Sequence, residues 1–299
     1  MQAQITMPSR GQKKRQPKEI AARAAKKTGV YVVLLALACF FLFPFFIMVC
    51  VSLLTDADVF QQVVFSPSGT IEIGNYLSIF TSGSKYLGYL GNTLIVAVIL
   101  AVGVPFVSSL CAFGFAKLKF HGRDAVYAIV LATLMIPGVI TLIPLYAIYA
   151  KFGWLNTLTP LWLPSLFGGG ATNIFLMRQF MRGIPNDLLD AAKIDGAHIF
   201  RVYFTIALPL CVPIMLYVGY MSFVGAWNNF IGPMTYIDAG SKFSTLALGM
   251  YNDYGPVNDT SYANSAMAAG VVMTIPCVAL FVFFQKYLIE GVAVTGLKG

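Results

Sequence analysis

Long apolar runs separated by short polar stretches make up most of the chain. A helix needs roughly 20 apolar residues to cross the hydrocarbon core of a bilayer. Six runs approach that length: 29–54, 90–116, 125–149, 158–177, 206–231 and 266–288. Pro44 falls in the first, Pro137 and Pro144 in the third, and Pro276 in the sixth, while Gly168, Gly169 and Gly170 interrupt the fourth. In lipid each backbone polar group must find its partner within the segment, so these runs predict helices. The pattern predicts an all-α membrane protein with six transmembrane helices. Around them it leaves a tail at 1–28, a loop at 55–89 and a tail at 289–299. Five helices and a polar loop at 183–209 fill 90–288.

The polar loop reads DLLDAAKIDGAHIFRVYFTIALP from Asp187 to Pro209. Asn186 or Asp187 can cap a helix starting just after Pro185. Leu188, Leu189, Ala192 and Ile194 are its apolar positions, and Gly196 can take the left-handed conformation that ends it. The adjacent small residues Ala191 and Ala192 let another surface come close. A short amphipathic helix between two spans suits docking to a soluble partner.

Composition agrees with the membrane reading. Of 299 residues, 58% are hydrophobic and 11% charged, where a soluble domain carries about a quarter charged. The net charge of +8 does not point to nucleic acid, because eight Lys or Arg crowd between Arg10 and Lys27 ahead of the first apolar run. That run is too long for a cleavable signal peptide, and no small-residue cleavage site follows it. Cys39, Cys50, Cys111, Cys211 and Cys277 lie in or beside apolar runs and read as small apolar fillers. His121 and His198 are scattered, so no metal site is expected.

The basic residues also set the orientation. If both termini and the second and fourth loops face the cytoplasm, only Lys85, Lys151 and Lys242 lie outside. The other 17 of the 20 are then inside, together with the Asp190 loop.

The loop resembles the EAA loop of the membrane subunits of bacterial ABC importers. Asp190, Ala191, Ala192, Gly196, Ile206, Leu208 and Pro209 fall at that pattern's spacing, with Asp190 where the family has Glu. The Asp195–Gly196–Ala197 run fits the sugar-importer variety. Further matches are CAFGFAKLKFHGR, MIPGVITLIPLYAIY, FLMRQFMRGIP, WNNFIGP and the ending VTGLKG. Together they cover roughly Gly91 to Gly299 and resemble the smaller permease of maltose-type importers.

The resemblance implies a type I ABC importer permease fold in the bacterial inner membrane, multi-pass, with both termini cytoplasmic. It implies a heterodimer with a second permease, two copies of an ATPase subunit and an extracytoplasmic solute-binding protein, within a lipid bilayer and without nucleic acid. It makes Asp187, Asp190, Ala191, Ala192, Asp195, Gly196, Ala197, Leu208 and Pro209 the coupling residues that meet the ATPase. Asn252, Asp253, Tyr254 and Gly255 become contacts for the binding protein. Gly296 and Lys298 become part of a tail reaching between the ATPase subunits.

The chain itself carries no catalytic constellation. The triple glycine lacks a following Lys-Ser or Lys-Thr and cannot be a phosphate loop. It reads as a site of bending or close packing, or as a break lining the pathway. ATP and Mg are therefore expected on a partner chain, with no cofactor here. Polar groups within spans are costly and face protein or water. Asn92, Asn228 and Asn229, with Trp227 as a ring to stack on a sugar, are candidates for the substrate path, or for interhelical hydrogen bonds and an interfacial belt. Two other functions stay open: an ABC permease for a non-sugar solute, and a stand-alone secondary transporter. The latter would want a buried carboxylate, and all 12 acidic residues lie in loops, tails or segment ends.

Overall fold

The computed structural model describes residues 17–60, 69–81, 85–254 and 263–296, and among these there is helix but no strand. The first long helix, α1 (Pro17–Ser52), begins inside the basic tail, so the second half of that tail is continuous with the first apolar run. Pro17 at its start loses nothing, since a first-turn N–H has no partner within the helix. Two short helices follow, α2 (Asp56–Phe60) and α3 (Gly74–Thr81). The second long helix, α4 (Tyr86–Lys117), matches the second run closely.

The third run is not one straight helix. It splits into α5 (Arg123–Ala132), a 3₁₀ turn at Thr133–Met135, and α6 (Gly138–Lys151), with axes 101° apart. Pro137 is the cause, since it cannot donate a helical hydrogen bond and it pushes Ile136 into extended geometry (φ −83°, ψ 115°).

The fourth run is broken further. It gives α7 (Thr159–Trp162), a 3₁₀ turn at Pro164–Leu166, and α8 (Ala171–Arg182), which continues beyond the predicted end. Gly168, Gly169 and Gly170 all have positive φ, which keeps α7 and α8 from joining. A Cβ on Gly169 would stand 2.8 Å from Ser108 Cβ and 2.9 Å from the Val104 carbonyl oxygen, so this glycine lets the backbone pack directly on α4.

After α9 (Asn186–Ile194) and α10 (Ile199–Val202), a π-helical turn at Tyr203–Ala207 leads into α11 (Leu208–Leu210). The chain bends 75° at Cys211 into α12 (Val212–Trp227). Pro209 and Pro213 each remove a helical donor around that bend. The remaining helices are α13 (Ile231–Tyr236), α14 (Leu246–Tyr254) and α15 (Ala263–Gly296).

Helix α4 is the axis of the fold. It packs against both α8 and α12, which also touch each other, α12 packs on α15, and α15 packs on α1. Small residues allow the close approach. A Cβ on Gly219 of α12 would lie 2.7 Å from the Ala101 carbonyl oxygen, the group that Pro105 leaves without its helical donor. At one end of the molecule a polar cluster ties α1, α3 and α15 together. The Asn75 amide donates to the Ser52 and Leu54 carbonyls (3.0 Å each), and the Asn264 amide donates to Leu54 O (3.1 Å) and Asp56 Oδ1 (2.9 Å). Among the described residues, three helices are long and apolar enough to cross a membrane, or up to five if each bent pair is one span. No residue in the apolar window of α1 is buried by the chain itself, which water would not tolerate and lipid or another subunit would.

Candidate functional site

The loop predicted around Asp187–Pro209 forms α9, and its start differs from the sequence expectation. Asn186 and Asp187 do not cap it; Asn186 is already its first residue, Pro185 holds the cap position, and no side chain caps the N-terminus. Instead the Asn186 carbonyl oxygen Oδ1 accepts from Lys117 Nζ at 2.9 Å, and Lys117 also donates to the Ile184 carbonyl at 2.6 Å. The last residue of α4 thus holds the entry to α9. A lysine at that place also faces the negative end of the α4 dipole.

The end of α9 is as the sequence predicts. Gly196 has φ +79°, its N–H donates to Lys193 O (3.0 Å), and the Ala197 N–H reaches Ala192 O (2.9 Å). This pair of bonds is the Schellman stop, which requires the left-handed residue that glycine supplies. The chain then continues into α10, where His198 Nδ1 accepts from the Phe200 N–H at 3.3 Å.

The two faces of α9 differ. Leu189 is 4% exposed and points into the core, while Ile194 is 87% exposed and Leu188 about half. Asp187, Asp190, Ala191 and Asp195 are exposed, and Ala192 and Ala197 are partly covered. Asp190 Oδ1 accepts from Lys193 Nζ at 2.8 Å, one helical turn away. That bond and the lysine charge, with Lys119 adding to the field, hold the Asp190 carboxyl below its ordinary range. Leu208 is partly covered and Pro209 exposed, at the turn into α12. Between them and α9, Tyr203 is buried and shares a 2.7 Å hydrogen bond with Ser109 of α4.

A family model for the binding-protein-dependent transport system inner membrane component matches residues 105–294, which include all of this loop. The chain belongs to this family. The permease is 35% identical over 240 residues to the arabinooligosaccharides transport system permease protein AraQ of Halalkalibacterium halodurans, covering 79% of this chain and 83% of that protein. It is 29% identical over 268 residues to the trehalose/maltose transport system permease protein MalG of Thermococcus litoralis, covering 89% and 94%. Both relatives are named as transport-system permease proteins rather than enzymes. Its fold is shared with a chain of a bacterial ABC transporter that imports the acidic polysaccharide alginate, at a TM-score of 0.75 and 21% identity over 89% of this chain and 98% of that one. The permease is therefore a multi-pass membrane protein.

The other candidate residues of the permease are dispersed. The Asn92 amide donates to the Lys242 and Ser244 carbonyls at 2.7 and 2.9 Å, which fastens the start of α4 to the segment before α14. Trp227 is 1% exposed, stacks on Phe223 and donates to Met273 O at 3.0 Å. Asn228 is exposed with its amide on Val224 O, and Asn229 Oδ1 accepts from the Gly232 N–H. Asn252, Asp253 and Tyr254 close α14, and desolvation raises the Asp253 carboxyl above its ordinary range. Gly255 and Lys298 lie outside the described residues, and Gly296 is the last residue of α15.

Sequence reasoning missed Lys117, Ser109 and Tyr203 as parts of the site. Lys117 registered only as one of the inside charges. Its place directly after an apolar run, as the first cation where the span ends, was the available signal.

Proposed function

We propose that this permease is one of two related membrane subunits of an ATP-driven importer of an oligosaccharide. Six spans with cytoplasmic termini form the pathway together with the second permease. The third, fourth and fifth spans are the broken segments around Pro137, the triple glycine and Cys211. An extracytoplasmic binding protein delivers the solute, and two copies of a separate ATPase polypeptide, carrying ATP and Mg, dock on α9.

The observation that carries this reading is the way α9 is mounted. Its outer face offers Leu188, Asp190, Ala191 and Ile194 to a partner, while its base is pinned to α4 through Lys117 and through Tyr203 on Ser109. A push on α9 therefore reaches α4 and α12, which form the core of the fold. Displacement of such a packed unit as a rigid body is a standard route to alternating access, provided the ligand and ATP favour different states. The names of the relatives, which specify arabinooligosaccharides and trehalose or maltose, support an oligosaccharide as the solute.

The test is reconstitution in liposomes with a second permease, an ATPase and a solute-binding protein from the same organism. ATP-dependent uptake of labelled arabino- or malto-oligosaccharides is expected. Uptake that continues without the ATPase, driven by an ion gradient, would overturn the reading. Uptake of a non-sugar solute alone would overturn the assignment of the cargo.

A further inference from the structure

We propose that the recess between the end of α4 and α9 binds a phosphate group. The recess has a volume of about 620 Å³ and is walled by Lys117, Lys119 and Arg123 on one side and Asn186, Asp190 and Lys193 on the other. Its charges do not balance. Arg123 is taken up by Asp124 through two bonds of 2.9 and 3.2 Å, and Lys193 by Asp190. Lys117 and Lys119 make no ion pair among the described residues. The partly buried Lys117 ammonium meets only neutral oxygens, the Ile184 carbonyl and Asn186 Oδ1, so one of its three donors remains unused.

An excess of two positive charges in a concave site calls for an oxyanion. A phosphate monoester carries about −1.5 to −2 at neutral pH, which matches that excess, and its oxygens accept several charge-assisted bonds. A neutral sugar would leave the charge unmet. Depth favours the same chemistry. Lys117 is the last residue of a helix long and apolar enough to span the bilayer, so the recess lies at the polar end of that helix. Lipid headgroups border the polar ends of such helices, and basic pockets beside spanning helices bind their phosphates. Phe113 and Ala116 give the recess an apolar wall on the α4 side, suited to the glycerol end of a lipid. A soluble phosphate has the same oxyanion chemistry and is the other source. The proposal needs only that α4 spans the membrane, and stands apart from the transport reading.

The full chain, purified with its accompanying partners, is placed in nanodiscs of phosphatidylcholine with or without phosphatidylglycerol. Parallel samples in phosphatidylcholine receive inorganic phosphate or chloride at equal ionic strength. Thermal midpoints and lipid retention in native mass spectrometry are read for the wild type, Lys119→Gln and Lys151→Gln. Lys119 is exposed in the wall and outside every helix, so its loss leaves the fold intact, and Lys151 lies at the far end of α6. Phosphatidylglycerol or phosphate is expected to raise the wild-type midpoint, and Lys119→Gln to weaken binding roughly fivefold, the effect of one cation near an anionic surface. Lys151→Gln should bind as the wild type does. A shift with phosphatidylglycerol alone identifies a lipid headgroup as the ligand, and a shift with inorganic phosphate identifies a soluble one. Equal midpoints in all conditions, or equal losses in both variants, overturn the proposal.

Discussion

The hydroxyls of Tyr203 and Ser109 lie 2.7 Å apart in a buried contact between the stem of the α9 loop and the C-terminal third of α4. The Tyr203 ring also packs on Phe113, with centroids 5.2 Å apart. Tyr203 opens the π-helical turn that ends at Ala207, and both of these residues are buried. With Lys117 on the near side of α9 and Tyr203 on the far side, α4 holds the loop at both ends.

Tyr203→Phe separates the hydrogen bond from the packing. It removes one hydroxyl, and Ser109 Oγ keeps its bond to Phe106 O at 2.7 Å. The expected loss is about 0.5–1.5 kcal/mol, near the low end because bonds within membrane proteins average less than 1 kcal/mol. Tyr203→Ala should cost about 3–5 kcal/mol through the cavity it leaves. Thermal unfolding of the two purified variants checks the order. Tyr203→Phe should lower solute imported per ATP more than it lowers ATP hydrolysis. Equal losses of both would show that Tyr203 supports the fold without transmitting motion.

Gly196 tests the end of the lever. No atom lies within 4 Å of a Cβ added there, so the effect of Gly196→Ala is conformational alone. Holding alanine at φ +79° costs about 1–2 kcal/mol. Gly196→Asn should cost less, because asparagine enters the left-handed region more readily. Gly196→Pro is different in kind, since its φ is fixed near −65° and it deletes the N–H that bonds Lys193 O. The proline variant should still insert in membranes, yet hydrolyse ATP without importing solute. Normal coupling in purified Gly196→Pro complexes would refute the role of α9 as a lever.

The parts of this molecule legible in sequence were those with local causes. Runs of apolar residues specified α1, α4 and α15, and the Gly196 stop follows from the left-handed conformation that glycine permits. The apolar positions Leu188, Leu189, Ala192 and Ile194, closed by Gly196, predict α9. What failed were features decided by distant contacts. Pro137 was visible as a helix breaker, but nothing local gave a 101° turn. The cap expected from Asn186 or Asp187 was displaced by Lys117, which is 69 residues from Asn186 in sequence. Trp227 had two sequence readings, belt or sugar platform, and the structure gives it a buried place against Phe223 and Met273.

The close approach of α4 to its neighbours predicts a ranked set of glycine variants. At Gly219 an added methyl would meet the Ala101 carbonyl oxygen at 2.7 Å, backbone that cannot swing aside. Overpacking of this kind costs about 1–3 kcal/mol. At Gly169 the methyl would meet Ser108 and Val104 with φ at +76°, so strain of about 1–3 kcal/mol adds to the clash. Gly225 has no atom within 4 Å of its added Cβ and is the control. Unfolding midpoints should fall in the order Gly225→Ala, Gly219→Ala, Gly169→Ala, with the last lowest. An unchanged midpoint for Gly169→Ala would mean that α8 is not seated on α4.

Asp190 stands where the resembled family carries glutamate, and its geometry predicts what the shorter side chain does. The carboxylate pairs with Lys193 on the same exposed face of α9. Its pKa lies below the ordinary carboxylate value because of that bond, so the pair is complete at neutral pH. A depressed pKa contributes above the unfolded value and is lost as pH falls through the folded one. The pair should therefore persist through mild acid and break only below the usual carboxylate range. Because both side chains are exposed, Asp190→Asn should leave the unfolding midpoint unchanged. Any loss of uptake then reports a contact with the partner, not a folding defect. Asp190→Glu keeps the charge and extends it by one methylene, so it should retain coupling, while Asp190→Asn should lower solute imported per ATP. Transport by Asp190→Asn at the wild-type ratio would show that the ATPase does not read this carboxylate.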